Sequence, residues 1–174
     1  HLLAAADRDG LVSLWDYRTG KRLRSLESTK AIHTLAVSPD GATLATGGTD
    51  GTVRLWAIAT GEALHTVHSH GDSVTVVLFS PDGARFVSAS KNGELTIWNT
   101  NSRQKMLTLE PPGTLRRFGI LSGGWCDHVA FSRDSKRIVT GGKYGPIRLW
   151  DAVTGKQIRE LPGHRHFTTF VGFC

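Results

Sequence analysis

The chain has 174 residues, 39% of them hydrophobic and 21% charged, with a formal net charge of +6. That length can hold a sizeable core, and no stretch nears the roughly 18–20 apolar residues of a membrane span, which argues against membrane insertion. Two cysteines exclude a disulfide framework, and no signal-peptide pattern is visible, so the expected location is intracellular, cytoplasmic or nuclear.

In chain order, residues 2–27 hold three short β-type runs, LLAAAD, VSLWD and KRLRSLE. The middle phrase, VSLWD (12–16), returns as TVRLWA (52–57), LTIWN (95–99) and IRLWD (147–151). Its tryptophans, Trp15, Trp56, Trp98 and Trp150, are spaced by 41, 42 and 52 residues. A period of about 40 residues marks a repeat array. Three turns recur within it. The first is SPDG, at Ser38–Gly41 and Ser80–Gly83, degraded to Ser132-Arg133-Asp134-Ser135. Proline presets φ there, and Asp and Gly accept the left-handed conformation that closes a tight turn. The second comes shortly before each Trp: Asp9-Gly10, Asp50-Gly51, Asn92-Gly93 and Tyr144-Gly145. Asp-Gly and Asn-Gly between β-type runs are strong hairpin signals. The third is Thr-Gly, at Thr19-Gly20, Thr60-Gly61 and Thr154-Gly155. The runs between turns are short and rich in β-branched residues, so each period predicts four antiparallel strands, a to d, and no helix.

SPDG, the Asp-Gly turn, the [VI]-x-L-W-[DN] strand and a Gly-His or Ser-His pair before strand a resemble the WD-repeat β-propeller family over nearly the whole chain. The resemblance implies an all-β ring of four-stranded blades around a channel. In register with it, residues 1–27 supply strands b, c and d of a partial blade. Blades follow at 28–69, 70–110 and 111–163, and 164–174 reads as a lone strand a. That is about four blades' worth of strands, expected as part of a seven-bladed ring; a closed four-blade ring, with the last strand completing the first blade, is the alternative.

The resemblance also implies a polar tetrad bracing each blade: a loop His, a strand-b Ser or Thr, the turn Asp and the Trp. Matched residue by residue, one blade offers Ser28, Thr46, Asp50 and Trp56, and the next His70, Ser88, Asn92 and Trp98. The third has Thr140 and Trp150, with Tyr144 at the Asp position and Ser122 near the His position. The split blade offers His164, Ala5, Asp9 and Trp15. No blade keeps all four. The arrangement recurs once per blade, so it reads as bracing and not as a catalytic triad, which would be unique.

Chemistry has little footing. His65, His68 and His70 cluster, and His164 and His166 form a second pair, but no acidic or cysteine partner lies near to complete a zinc set. There is no phosphate-binding loop, dinucleotide fingerprint or nucleophile elbow. No metal, cofactor or enzyme activity is expected. Cys126 and Cys174 both read as reduced, inward-facing thiols.

Binding is the expected role. The resemblance implies that ligands meet the face carrying the d–a loops and b–c turns. The positions that match it are Ala31, His33 and Thr49; Ser73, Thr75 and Lys91; Trp125, Asp127 and Lys143; and Phe167, Thr169 and Arg8. Trp125 is out of phase with the repeat, and exposed aromatics and arginines are the usual interface anchors. The last Trp interval is longer because of residues 110–124, a d–a insertion with Arg116, Arg117 and Phe118 at its centre, suited to an acidic or phosphorylated partner. Residues 1–100 hold 9 Lys/Arg and 10 Asp/Glu, a net of −1; residues 101–174 hold 12 and 5, a net of +7. The expected function is a non-enzymatic scaffold binding other proteins within a complex. Alternatives are a nucleic-acid-binding propeller and the sensor part of a longer signalling enzyme.

Overall fold

The computed structural model describes residues 1–28, 30–68, 70–109, 116–117, 120–121, 126–142, 146–162 and 168–174, with 68, 116–117 and 120–121 as backbone only. The described residues form antiparallel sheets and no helix, and no helix is long and apolar enough to cross a membrane.

The first sheet has three strands in the order β1 (Leu2–Ala6), β2 (Leu11–Asp16) and β3 (Lys21–Glu27). The second runs β4 (Ile32–Val37), β5 (Thr43–Gly48), β6 (Thr52–Ala57) and β7 (Ala63–His68). The third runs β8 (Val74–Phe79), β9 (Arg85–Ser90), β10 (Leu95–Asn99) and β11 (Lys105–Leu109). A small hairpin of β12 (Arg116–Arg117) and β13 (Ile120–Leu121) follows. The fourth sheet runs β14 (His128–Phe131), β15 (Arg137–Gly141), β16 (Ile147–Asp151) and β17 (Gln157–Leu161). Three four-stranded meanders and one three-stranded sheet therefore agree with the all-β reading, and the three-stranded sheet lies within residues 1–27.

Turn chemistry explains why consecutive strands fold back. In the SPDG turn, Ser38 Oγ donates to Asp40 Oδ1 at 2.5 Å and accepts from the Thr43 amide at 2.9 Å, while Asp40 Oδ1 accepts from the Ala42 amide. The same pattern recurs from Ser80 to Arg85 and from Ser132 to Arg137. The fourth turn residue is left-handed in all three: Gly41 at φ 71°, Gly83 at 69° and, without glycine, Ser135 at 59°. Arg103 likewise takes φ 60° at the corner where the other sheets place Gly20, Gly61 and Gly155. Local hydrogen bonds hold two non-glycine residues in a region that normally favours glycine.

Each strand carrying a Trp shifts register against the following strand at that residue: between Leu14 and Trp15, Leu55 and Trp56, Ile97 and Trp98, and Leu149 and Trp150. Apolar clusters lie between consecutive sheets. Val12, Leu14 and Leu26 pack with Leu44 and Trp56; Ala45, Val53 and Leu55 pack with Val77, Phe86 and Trp98; Val87, Ile97 and Leu109 pack with Ile138 and Trp150. Each tryptophan of these clusters seals the gap to the sheet before it.

Residues 168–174, within the stretch expected as a lone strand a, pair with no described strand; Thr168 and Val171 are buried and lie against Gly141, as Val74 of the following sheet lies against Gly47. The segment lies against β15 where a strand a would sit, and among the described residues no strand pairs with it. Cys174, expected to face inward, is exposed; Cys126 is buried, and burial pushes its thiol up to about 12. Within the insertion, the β12–β13 hairpin stands where only a loop was expected.

Candidate functional site

The geometry that recurs in each four-stranded sheet is an indole N–H donating to a hydroxyl one strand away. Trp56 Nε1 donates to Thr46 Oγ1 at 3.0 Å, Trp98 Nε1 to Ser88 Oγ at 2.9 Å, and Trp150 Nε1 to Thr140 Oγ1 at 2.9 Å. All six side chains are buried. A Trp carries one donor, so burying it requires an acceptor, and a strand-b hydroxyl supplies it. The first sheet has Ala5 at that position; there Trp15 is only half-buried, and the Arg22 guanidinium lies 5.9 Å from its ring.

The outer members of the brace differ from sheet to sheet. In the second, Asp50 accepts from Thr52 Oγ1 at 2.6 Å and from Arg54 Nη2 at 2.9 Å, and Arg54 Nη1 donates to Thr52 Oγ1 at 2.6 Å. Partial burial pushes the Asp50 carboxyl up, but the bonds from Thr52 and Arg54 outweigh it and hold it at about 2. Ser28, at the imidazole position, is buried, and its Oγ accepts from the Lys30 amide. In the third sheet, His70 Nε2 lies 2.8 Å from Ser88 Oγ, with the imidazole wholly buried. Asn92 does not serve the imidazole: its Oδ1 accepts from Ser90 Oγ and the Glu94 amide. The carboxylate nearest His70 Nδ1 is Glu94, at 3.7 Å. Asp9 is exposed, and the turn carboxylate of the first sheet is Asp7, whose Oδ1 accepts from the Asp9 and Leu11 amides. His164 lies outside the described residues.

Of the positions expected on the loop face, Arg8, His33 and Thr49 are exposed, and Lys91 and Asp127 are half-buried. Trp125, Phe167, Phe118 and Lys143 lie outside the described residues, as do the side chains of Arg116 and Arg117. His33 and Thr75 both occupy β-bulges at the start of strand a, between Ile32 and Thr34 and between Val74 and Val76. A bulge re-aims one side chain out of the ladder. Thr75 uses that freedom to donate to Cys126 O at 2.9 Å, tying the third sheet to the fourth. Other ties between sheets are the Val77 amide to Thr34 Oγ1, Arg24 to the carbonyls of Thr60 and Ala59, Arg103 to Leu64 O, and Arg85 to the carbonyls of Ala152 and Ser135. These arginines escaped the sequence reading because their acceptors belong to another repeat. Among the described residues no group of three metal-ligating side chains occurs.

Residues 20–57 and 61–99 match the family described as WD domain, G-beta repeat. The chain is 31% identical over 149 residues to apoptotic protease-activating factor 1 of Rattus norvegicus, covering 85% of this chain and 12% of that protein. It is 31% identical over 179 residues to autophagy-related protein 16 of Arabidopsis thaliana, covering 97% of this chain and 31% of that protein. A shorter stretch of 39 residues is 49% identical to small ribosomal subunit protein RACK1z of Arabidopsis thaliana, covering 22% of this chain and 12% of that protein. The chain thus spans less than a third of the length of each. The recurring indole-to-hydroxyl brace and these likenesses have one reading: the chain belongs to the WD-repeat family.

Proposed function

We propose that this part of the protein is a non-enzymatic scaffold that holds protein partners on the face carrying the d–a loops and b–c turns, within a larger assembly. One observation carries the reading: Thr46, Ser88, Thr140 and His70, which could do chemistry, are engaged in bracing the sheets, while Arg8 and His33, which we assign to the loop face, are exposed. A rigid frame with free side chains at its loops suits binding. The relatives' names support an assembly role, since one is a ribosomal subunit protein and another activates a protease. Trp125, Phe167, Phe118, Arg116, Arg117, Lys91, Lys143 and Asp127 complete the proposed surface, and the location that follows is intracellular.

Affinity purification from the source, at rising salt, tests this reading. Protein partners should survive moderate salt and be lost with Trp125→Ala. If instead nucleic acid is recovered, is released steeply as salt rises and disappears with Arg116→Ala/Arg117→Ala, the scaffold reading fails. The second reading has one observation in its favour, the net +7 of residues 101–174 against −1 for residues 1–100.

A further inference from the structure

The third sheet differs from its neighbours in having a buried imidazole. Ser88 has one hydroxyl proton and two acceptor sites. It accepts from Trp98 Nε1 at 2.9 Å, so its own proton is free to be donated to His70 Nε2, 2.8 Å away. That assignment makes the imidazole neutral, with its proton on Nδ1. Nδ1 is buried and has no hydrogen-bond partner; Glu94 Oε2 lies at 3.7 Å, beyond bonding distance. A second proton would turn Nε2 into a donor. Trp98 and His70 would then both donate to Ser88, whose hydroxyl proton would lose its acceptor, and a full charge would sit on a buried ring whose nearest counter-ion, Glu94, stands at 3.7 Å.

We propose that the His70–Ser88–Trp98 brace is an acid-sensitive latch: protonating the buried imidazole reverses its bond to Ser88, leaves the serine proton without an acceptor and loosens residues 70–73, which lead into β8. The latch has a local target. His70 donates its amide to Gly51 O at 3.2 Å and Ser73 Oγ donates to Thr49 O at 3.2 Å, so these residues also clasp the turn of the second sheet. The charged groups acting on the imidazole are Glu94, which favours its protonation, and Lys105 of β11, which opposes it; burial outweighs Glu94 and keeps His70 below its ordinary value of 6.5. Asn92, in the adjoining turn, is uncharged, and on the second sheet's turn Asp50 is engaged by Arg54 and Thr52. Because the folded value lies below the unfolded one, the unfolded chain binds the extra proton first. Stability is therefore intact above 6.5 and declines as pH falls below it.

Two measurements on the same polypeptide test the latch. The first is Tm between pH 7.5 and 5.5 for the wild type and His70→Gln, whose amide can meet Ser88 without titrating. The wild type should lose about 3–5 °C more per pH unit below 6.5 than the variant; equal losses would assign the effect to the other histidines and overturn the proposal. The second, which does not depend on the variant folding, is an NMR titration of the His70 ring together with the amides of residues 70–73. The ring should titrate below 6.5, and lower still in Glu94→Gln, with the amides shifting at the same midpoint. A ring titrating at or above 6.5, or amides that stay still while it titrates, would overturn the latch.

Discussion

The second and third sheets share a backbone plan and an indole-to-hydroxyl bond, yet they complete the brace with opposite chemistry. In the second, the polar partners are an ion pair at the turn, Asp50 with Arg54 at 2.9 Å, and the imidazole position holds Ser28. In the third, the turn residue is the neutral Asn92, and a buried imidazole reaches the hydroxyl instead. The Trp bond is the constant because a buried N–H must be paired wherever the Trp is needed as a wedge. The outer partners vary because each needs only to satisfy its own immediate surroundings. In the first sheet Ala5 stands at the hydroxyl position, and Trp15, with no described sheet packed before it, is partly exposed.

Replacing the wedges should separate the sheets most. Trp98→Ala removes a ring stacked on Phe86 at 5.9 Å and should cost about 3–5 kcal/mol in urea unfolding, whereas Trp15→Ala should cost clearly less. Equal costs would mean that the brace adds nothing to packing. Next come the acceptors. Ser88→Ala strands both Trp98 and His70 and should cost about 2–3 kcal/mol, against about 1–2 for Thr46→Val, which strands Trp56 alone. A larger loss for Thr46→Val would place the main strength of the array in the second sheet.

The turn carboxylates give smaller effects with a pH signature. Asp50→Asn should cost about 1–2 kcal/mol at pH 7 by weakening charge-assisted bonds. Because Asp50 is held at about 2, below its ordinary 3.8, its contribution is full above that ordinary value and lost as pH falls toward 2. The Asn variant should therefore converge with the wild type in acid, which denaturation midpoints at pH 2 and pH 6 would check. Smallest of all, Asp9→Asn should leave the midpoint unchanged, since Asp9 is exposed and Asp7 holds the turn; a measurable loss would restore Asp9 to the brace.

Much of this was legible in the residues. Trp phase, the serine turns and the corner glycines depend on contacts within one repeat, so their spacing alone located the strands of all four sheets. The candidate face was less legible. That His33 is exposed while Thr75, at the same bulge, is tied to Cys126 O depends on which sheet stands beside each. Asp7 in place of Asp9, and Glu94 as the carboxylate nearest His70, follow from side-chain reach around turns, which the repeat register does not encode.

By itself the sequence determined the period, the turn types and the hydroxyl that meets the indole in the three four-stranded sheets, because these are local and recur. Only the tertiary structure decided how one repeat grips the next: Arg85 on the carbonyls of Ala152 and Ser135, Arg24 on those of Thr60 and Ala59, and residues 168–174 lying against Gly141 without a ladder. A backbone carbonyl is present in every residue and carries no sequence signature, so the arginine that finds it is known only when the sheets are placed side by side.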